Sequence, residues 1–423
     1  MHVNRKLSLL TASVAIASIL AGCSSSAATP VPTAAPTAAA TTAATTAASA
    51  APTAVATANF SNPIVIGGIA TLTGGIPFVD LPPGVQAYFD MINEQGGVQG
   101  RALVYKSLDD GGSPAESLAD AKKLTLEDNI VGYAGNVSLT DCVTNMKYYE
   151  QSNTQVVGIG PQPECYTSPW WMPVNPGPYV STKIELAYAF ETLKATKVCM
   201  IGQNEAGSID TYKKIVTDYT AKTGNKLTLE QYTNDTTQSP TPEIVQAKNA
   251  GCEVLITHTM ATNWVAIIQA AKAVGLDATM INHGSAYDSS VPPTLGALAE
   301  PGGLGPTSKG IFIPSELAPF SLGDFKGLED YQAWMKKKNL PVNFWTEGGW
   351  YSAEVFVTVL KTVKGDITRD SVTQAFKDFP GYQSAFAGSP VKYGQYNQST
   401  YMVTVKGGAW ISAPPDNWVT ASF

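Results

Sequence analysis

Residues 64–108 read IVIGGIATLTGGIPFVDLPPGVQAYFDMINEQGGVQGRALVYKSL. The first seven, 64–70, are apolar or glycine throughout, the pattern of a strand covered on both faces. After the loop 71–81, Pro82 and Pro83 open a helical stretch that carries Tyr88, Phe89, Met91 and Ile92 and stops at Gly96-Gly97. Residues 103–108 form the next apolar strand. A strand, one helix and a second strand predict a parallel pair, because a crossover helix returns the chain to the same end of the sheet.

The alternation continues outward. Ser113-Pro114-Ala115-Glu116 supplies an N-cap, a first-turn proline and a capping-box glutamate for a helix running to about Asp128. Further strands are expected at 130–134, 155–159, 197–202, 226–232, 253–258, 279–282 and 311–313. Helices are expected near 141–152, 178–194, 208–223, 241–250, 262–274, 325–338, 347–364 and 370–378. The predicted fold class is therefore α/β: two Rossmann-like lobes with parallel sheets, one block before and one after about residue 176. Residues 391–410 alternate turns with apolar positions, as short antiparallel strands do.

Upstream of this region the character of the chain changes. Arg5 and Lys6 precede the apolar run 7–21 and the sequence Leu20-Ala21-Gly22-Cys23, an export signal over residues 1–22. The apolar run falls short of the roughly 20 residues that span a bilayer. A cysteine directly after small residues resembles the bacterial lipoprotein lipobox, which implies lipidation of Cys23 and attachment to the outer face of a membrane, at the cell surface or in the periplasm. Residues 27–58 are nearly all Ala, Thr and Pro, so 23–59 is expected to be a lipidated cysteine followed by a tether that buries no core.

Composition narrows the function. With 44% hydrophobic and 14% charged residues the chain is globular, and its formal net charge of −7 disfavours nucleic acid as a partner. Only His2, His258 and His283 are present, too few for an obvious metal centre. No Gly-x-Ser-x-Gly elbow or Gly-Lys-Ser/Thr phosphate loop occurs, and Gly158-Ile159-Gly160 fails as a dinucleotide fingerprint because Pro163 holds the third glycine position. No catalytic residue, metal ligand or cofactor is expected.

Ile92-Asn93, then Gly96-Gly97-Val98-Gln99-Gly100-Arg101, then Asp109-Asp110 after a strand, resembles the first lobe of type I periplasmic solute-binding proteins of the leucine/isoleucine/valine-binding group. Residues 71–75 (TLTGG) resemble that family's ligand-proximal turn. The resemblance implies a three-crossing hinge between the lobes, closure over a small solute, and delivery of the solute to an ABC permease by a monomeric, non-enzymatic receptor. The crossings would fall near 175–178, 316–321 and 388–391. Lobe one would comprise 60–176 plus 318–389, and lobe two 177–317 plus 390–423.

In open parallel sheets ligands sit beyond the carboxyl ends of the strands, so the loops 71–81, 135–140, 160–167, 203–207, 257–263 and 283–288 are the ones to read. The resemblance implies a hydroxyl and backbone N–H groups from lobe one, and an acid with an aromatic from lobe two. Ser138 is the candidate hydroxyl. Gln162 stands where a threonine is typical, Pro161 has no N–H, and Asp288 is the nearest carboxylate to His283-Gly284-Ser285. The candidate ligand-binding residues are Phe78, Asn136, Ser138, Leu139, Gly160, Gln162, Glu205, Met260, His283 and Gly284. This mixture of neutral hydrogen-bonding groups and apolar walls suits a branched-chain amino acid or a related amide or carboxylate.

Other readings stay open. A ligand-sensing subunit of the same fold would carry the same site, and a tethered hydrolase would need a nucleophile that the motifs do not supply. Export makes a Cys142–Cys165 disulfide the favoured pairing, while Cys199 and Cys252 read either as a second bridge or as small buried residues. Trp170-Trp171, between Pro169 and Pro173, is expected to be a strut at a crossing. Trp345 and Trp350 flank a helix start and are expected to pack against lobe one.

Overall fold

The structure, a computed structural model, describes residues 59–203, 207–233, 240–323 and 325–421. The export signal, Cys23 and the tether lie outside these residues. The elements of the first block are β1 (Asn59–Ala70), α1 (Leu81–Glu94), β2 (Arg101–Asp109), α2 (Pro114–Leu126), β3 (Tyr133–Asn136), α3 (Asp141–Gln151), β4 (Val156–Gly158) and β5 (Trp171–Pro173). They form a parallel sheet of order β2-β1-β3-β4-β5. Ile64, Ile66, Ile69 and Ala70 of β1 have no solvent exposure, as a central strand under helices on both faces requires.

The second block runs α4 (Gly177–Ala187), β6 (Val198–Gln203), α5 (Ile209–Thr223), β7 (Leu229–Thr233), α6 (Thr241–Ala250), β8 (Val254–Thr257), α7 (Ala261–Val274), β9 (Thr279–Asn282), α8 (Val291–Leu295) and β10 (Ile311–Ser315). After it come α9 (Glu329–Lys338), α10 (Phe344–Leu360), α11 (Arg369–Lys377), β11 (Ser399–Lys406), β12 (Ala409–Ser412) and β13 (Trp418–Thr420). The second sheet has the order β12-β11-β10-β9-β8-β6-β7, with β13 also on β11. It is parallel from β7 to β10 and antiparallel where β11 joins.

The two sheets define two lobes, and the chain order explains how they are joined. The chain leaves the first sheet after Pro173, completes the parallel part of the second at Ser315, and returns to lay α10 on α1, β3 and β4. A third passage, before Ser399, takes it back to the second sheet. The return helix docks through glycines. A Cβ on Gly349 would stand 2.1 Å from the Leu81 carbonyl oxygen, and one on Gly84 would stand 2.2 Å from that of Thr346. Only residues without a side chain let the backbones of α1 and α10 approach this closely.

Three details differ from the sequence reading. Trp171 is not a strut in a crossing: with Met172 and Pro173 it pairs along β4 as the last strand of the first sheet, only 1% exposed. Proline is tolerated there because β5 is an edge strand. Helix α10 starts at Phe344 rather than 347, since the Asn343 side chain accepts from the N–H groups of Trp345 and Thr346 while the Thr346 hydroxyl accepts from the Asn343 N–H. The last turn of α4 widens into a π-helical segment at Tyr188–Thr192.

Cysteines bridge within each lobe. Cys142 of α3 is bonded to Cys165, with Cα atoms 5.3 Å apart, and Cys199 of β6 to Cys252, with Cα atoms 5.8 Å apart. Among the described residues no helix is long and apolar enough to cross a membrane.

Candidate ligand-binding cleft

One cleft collects the segments that follow strands of both sheets. Ile76 and Phe78 come from the loop after β1, Leu139 from that after β3, and Ile159, Gly160 and Pro161 from that after β4. Lobe two contributes Met260 after β8 and His283 and Ser285 after β9. Asn175, Pro178 and Glu316 come from two of the interlobe passages, and Phe344 and Trp345 from the first turn of α10. The space is about 440 Å³, part of it open to solvent, which fits a small organic molecule.

The walls are mostly hydrocarbon and ring surface. Phe78 packs on Trp345 with ring centroids 4.7 Å apart, and Phe344 meets Trp345 edge-on at 4.9 Å. Asn343 sets this group in place through its cap on α10 and through a 2.8 Å hydrogen bond from its Nδ2 to Asp80. Apolar walls of this kind bind by area, while a few polar groups fix orientation.

The polar groups on the border are Asn175, His283, Ser285 and Glu316. Glu316 is 2% exposed; its Oε2 accepts from Asn175 Nδ2 at 2.8 Å and its Oε1 from the Ser181 hydroxyl at 3.1 Å. Burial pushes this carboxyl up to about 7, with hydrogen bonds from Asn175, Ser181 and the Gly177 N–H opposing the shift and Glu185 adding to it. Burial, and the neighbouring His258, hold His283 well below the usual imidazole range. Its Nδ1 accepts from the Ser285 N–H at 3.3 Å, so the neutral ring carries its proton on Nε2.

Behind His283 lies a second buried polar layer. His258 stands 5.6 Å from it, centroid to centroid, and its Nε2 is 2.9 Å from Glu185 Oε2. Burial pushes His258 down to about 3 and Glu185 well up, so this contact is a neutral hydrogen bond rather than an ion pair. Among the described residues no group of three or more His, Cys, Asp and Glu could hold a metal ion.

The structure brings some sequence candidates together and uses others elsewhere. Phe78, Leu139, Gly160, Met260 and His283 border the cleft. Gly284 sits just behind it, where a Cβ would lie 2.7 Å from Glu316 Cγ; its lack of a side chain lets the Glu316 stem pass. Asn136 ties β1 to α3, its Oδ1 accepting from the Ile69 N–H at 3.2 Å and its Nδ2 donating to Asp141 at 2.7 Å. Ser138 donates to Asp110 and accepts from the N–H groups of Thr140 and Asp141. Gln162 is buried ahead of a short 3-10 turn, off the cleft border, and its Nε2 has no protein partner. Glu205 lies outside the described residues.

The sequence reading missed Asn175, Pro178 and Glu316 as cleft residues because it treated the crossings only as joints. It missed Phe344 and Trp345 because it started the helix three residues late. Asn343, a strong N-cap residue immediately before them, was the available signal.

The sequence profile of the periplasmic binding protein family matches residues 63–409. The chain belongs to that family, and its two-sheet architecture is the type I form. No curated protein sequence matches it. Among solved structures it is similar to a branched-chain amino acid ABC transporter protein from Thermus thermophilus with bound valine, at 15% identity and TM-score 0.71, covering 85% of this chain and 97% of that one. It is also similar to a fatty acid ABC transporter substrate-binding protein from Thermomonospora curvata, at 16% identity and TM-score 0.70, covering 86% and 94%. A third is a branched-chain amino acid transporter substrate-binding protein from Streptococcus pneumoniae in complex with isoleucine, at 14% identity and TM-score 0.69, covering 85% and 100%.

Proposed function

We propose that the chain is an extracytoplasmic, lipid-anchored solute-binding protein of an ABC importer. It captures a small organic solute, a branched-chain amino acid or a related amide or carboxylate, between its lobes and presents the closed form to a membrane permease. The observation that carries this reading is the origin of the cleft border: loops after strands of both sheets, and two of the passages between them, converge on one space. A solute touching both sides contacts all of them only when the lobes are closed, so binding and closure are one equilibrium. No bond is made or broken.

In this reading the lobes are 60–176 with 318–389 and 177–317 with 390–423, and acyl chains on Cys23 hold the folded part above the membrane. The valine and isoleucine complexes and the fatty acid transporter protein among similar structures support a ligand with an apolar body. Thermal unfolding of the full chain against amino acids, amides, small carboxylates and a total metabolite extract tests the reading. A ligand bound only by the folded state at a hundred times its Kd adds about 2.7 kcal/mol, which raises the midpoint by a few degrees. No shift from any pure compound or from the extract would sink the receptor reading.

A further inference from the structure

The cleft border is short of charge in a way that bears on what it holds. Among its described residues there is no lysine or arginine, and Glu316 is the single carboxyl. An amino acid zwitterion brings one anionic and one cationic group, and each must exchange water for a partner of opposite sign or for several converging hydrogen bonds.

The groups able to receive a carboxylate are largely engaged. The Phe78 N–H donates to the Thr71 carbonyl, the Gly160 N–H to Asn175 Oδ1 at 3.1 Å, and the Ser285 N–H to His283. Pro161 and Pro178 have no N–H. His283 is buried against a second histidine and stays neutral, so it offers one N–H dipole and no charge.

An ammonium fares no better. Both oxygens of Glu316 already accept from the protein, at Asn175 and Ser181, and burial favours the neutral carboxyl. What the cleft offers instead is a wide apolar face, Phe78 on Trp345 with Ile76, Leu139 and Met260 around it, and a cluster of neutral hydrogen-bonding groups at His283, Ser285 and Asn175.

We infer that this cleft selects uncharged solutes with a branched or planar apolar body and one hydrogen-bonding head, primary amides being the simplest class, over zwitterionic amino acids of the same shape. The inference rests on the solute-receptor reading and narrows it. The apolar body lies against the Phe78–Trp345 wall, and the head exchanges water for the His283, Ser285 and Asn175 groups.

The test is calorimetric titration of the full chain at pH 7.5 with two shape-matched series: 4-methylpentanamide, 4-methylpentanoate and L-leucine, then phenylacetamide, phenylacetate and L-phenylalanine. In parallel, compounds retained by the chain from a total metabolite extract are identified by mass spectrometry. The expected result is that the amide of at least one series binds tenfold or more tighter than both charged counterparts, that Phe78→Ala weakens it by a similar factor, and that the retained compound is uncharged. A zwitterion or carboxylate that binds more tightly than its amide, or a charged retained compound, overturns the inference while leaving the receptor reading in place. Tight amide binding unaffected by Phe78→Ala in a folded variant overturns it too, because the site would lie elsewhere. If no probe binds and nothing is retained, the receptor reading itself fails. If no probe binds and an uncharged compound is retained, the inference stands with a different head group.

Discussion

Asn175 Nδ2 donates to Glu316 Oε2 at 2.8 Å, and this contact joins two of the passages by which the chain moves between its sheets. Asn397, ahead of β11 on the third passage, adds a 3.4 Å hydrogen bond from its Nδ2 to the Glu316 carbonyl oxygen. One residue thus gathers the strands of the joint while its carboxyl also faces the cleft. A group placed there reports on both closure and ligand.

Glu316 should make stability depend on pH in a defined window. Its carboxyl in the folded state stands at about 7 against an ordinary 4.5, so the folded chain keeps a proton that the unfolded chain has lost. The contribution of this group to stability is full below about pH 4.5, falls as pH rises toward 7, and is flat above, a change on the order of 3 kcal/mol. Glu316→Gln has no such slope. The midpoint of the variant minus that of the parent should be constant in acid, grow in the variant's favour between pH 4.5 and 7, and then level off. Thermal scans across this range check it; a gap independent of pH would show that the carboxyl titrates normally.

Trp345→Ala should separate binding from folding. The indole is only partly buried and lies at a helix start, while its contact with Phe78 forms the broadest part of the cleft wall. Loss of the aromatic pair and of its apolar area is expected to weaken ligand by tenfold or more, about 1.4 kcal/mol, with little change in the unfolding midpoint of the free protein. Titration of the variant with whichever ligand the parent binds gives the answer, and unchanged affinity would move the ligand off this wall.

Gly349→Ala should destabilise without touching the cleft. The new methyl would meet the Leu81 carbonyl at 2.1 Å and force α1 and α10 apart, an overpacking cost of about 1–3 kcal/mol. Gly75→Ala, where a Cβ meets nothing within 4 Å, is the matched control and should shift stability by no more than about 0.5 kcal/mol. Denaturant midpoints for the two variants make the comparison.

Cys23→Ser should release the protein from membranes. If Cys23 carries the lipid, the variant appears in the soluble fraction after cell disruption while the parent pellets with membranes and returns to solution only in detergent. Equal membrane retention of both would place the anchor elsewhere.

Much of the architecture could be read from the chain because a parallel sheet covered on both faces demands apolar runs, and 64–70, 253–258 and 279–282 are such runs. The exception, β5, is three residues long, carries a proline and is rich in tryptophan, so no periodicity marks it. The cleft was legible only in part. Phe78, Leu139, Gly160, Met260 and His283 stand directly after strands, where topology alone directs attention. Asn136 and Ser138 stand in the same kind of loop, yet Asp141 and Asp110 take their polar atoms, and nothing in the local sequence shows which partner a side chain will choose. Glu316 acquires its position from Asn175, Ser181 and Asn397, residues far away along the chain.

The two cystines each close a loop inside one lobe, Cys142–Cys165 beside the first sheet and Cys199–Cys252 along the second, and neither spans the joint. An oxidising compartment therefore hardens each half as a separate casting and leaves the articulation to hydrogen bonds that can re-form at every cycle. Rigidity and mobility are written into different chemistry: covalent sulfur within the jaws, exchangeable protons at the pivot.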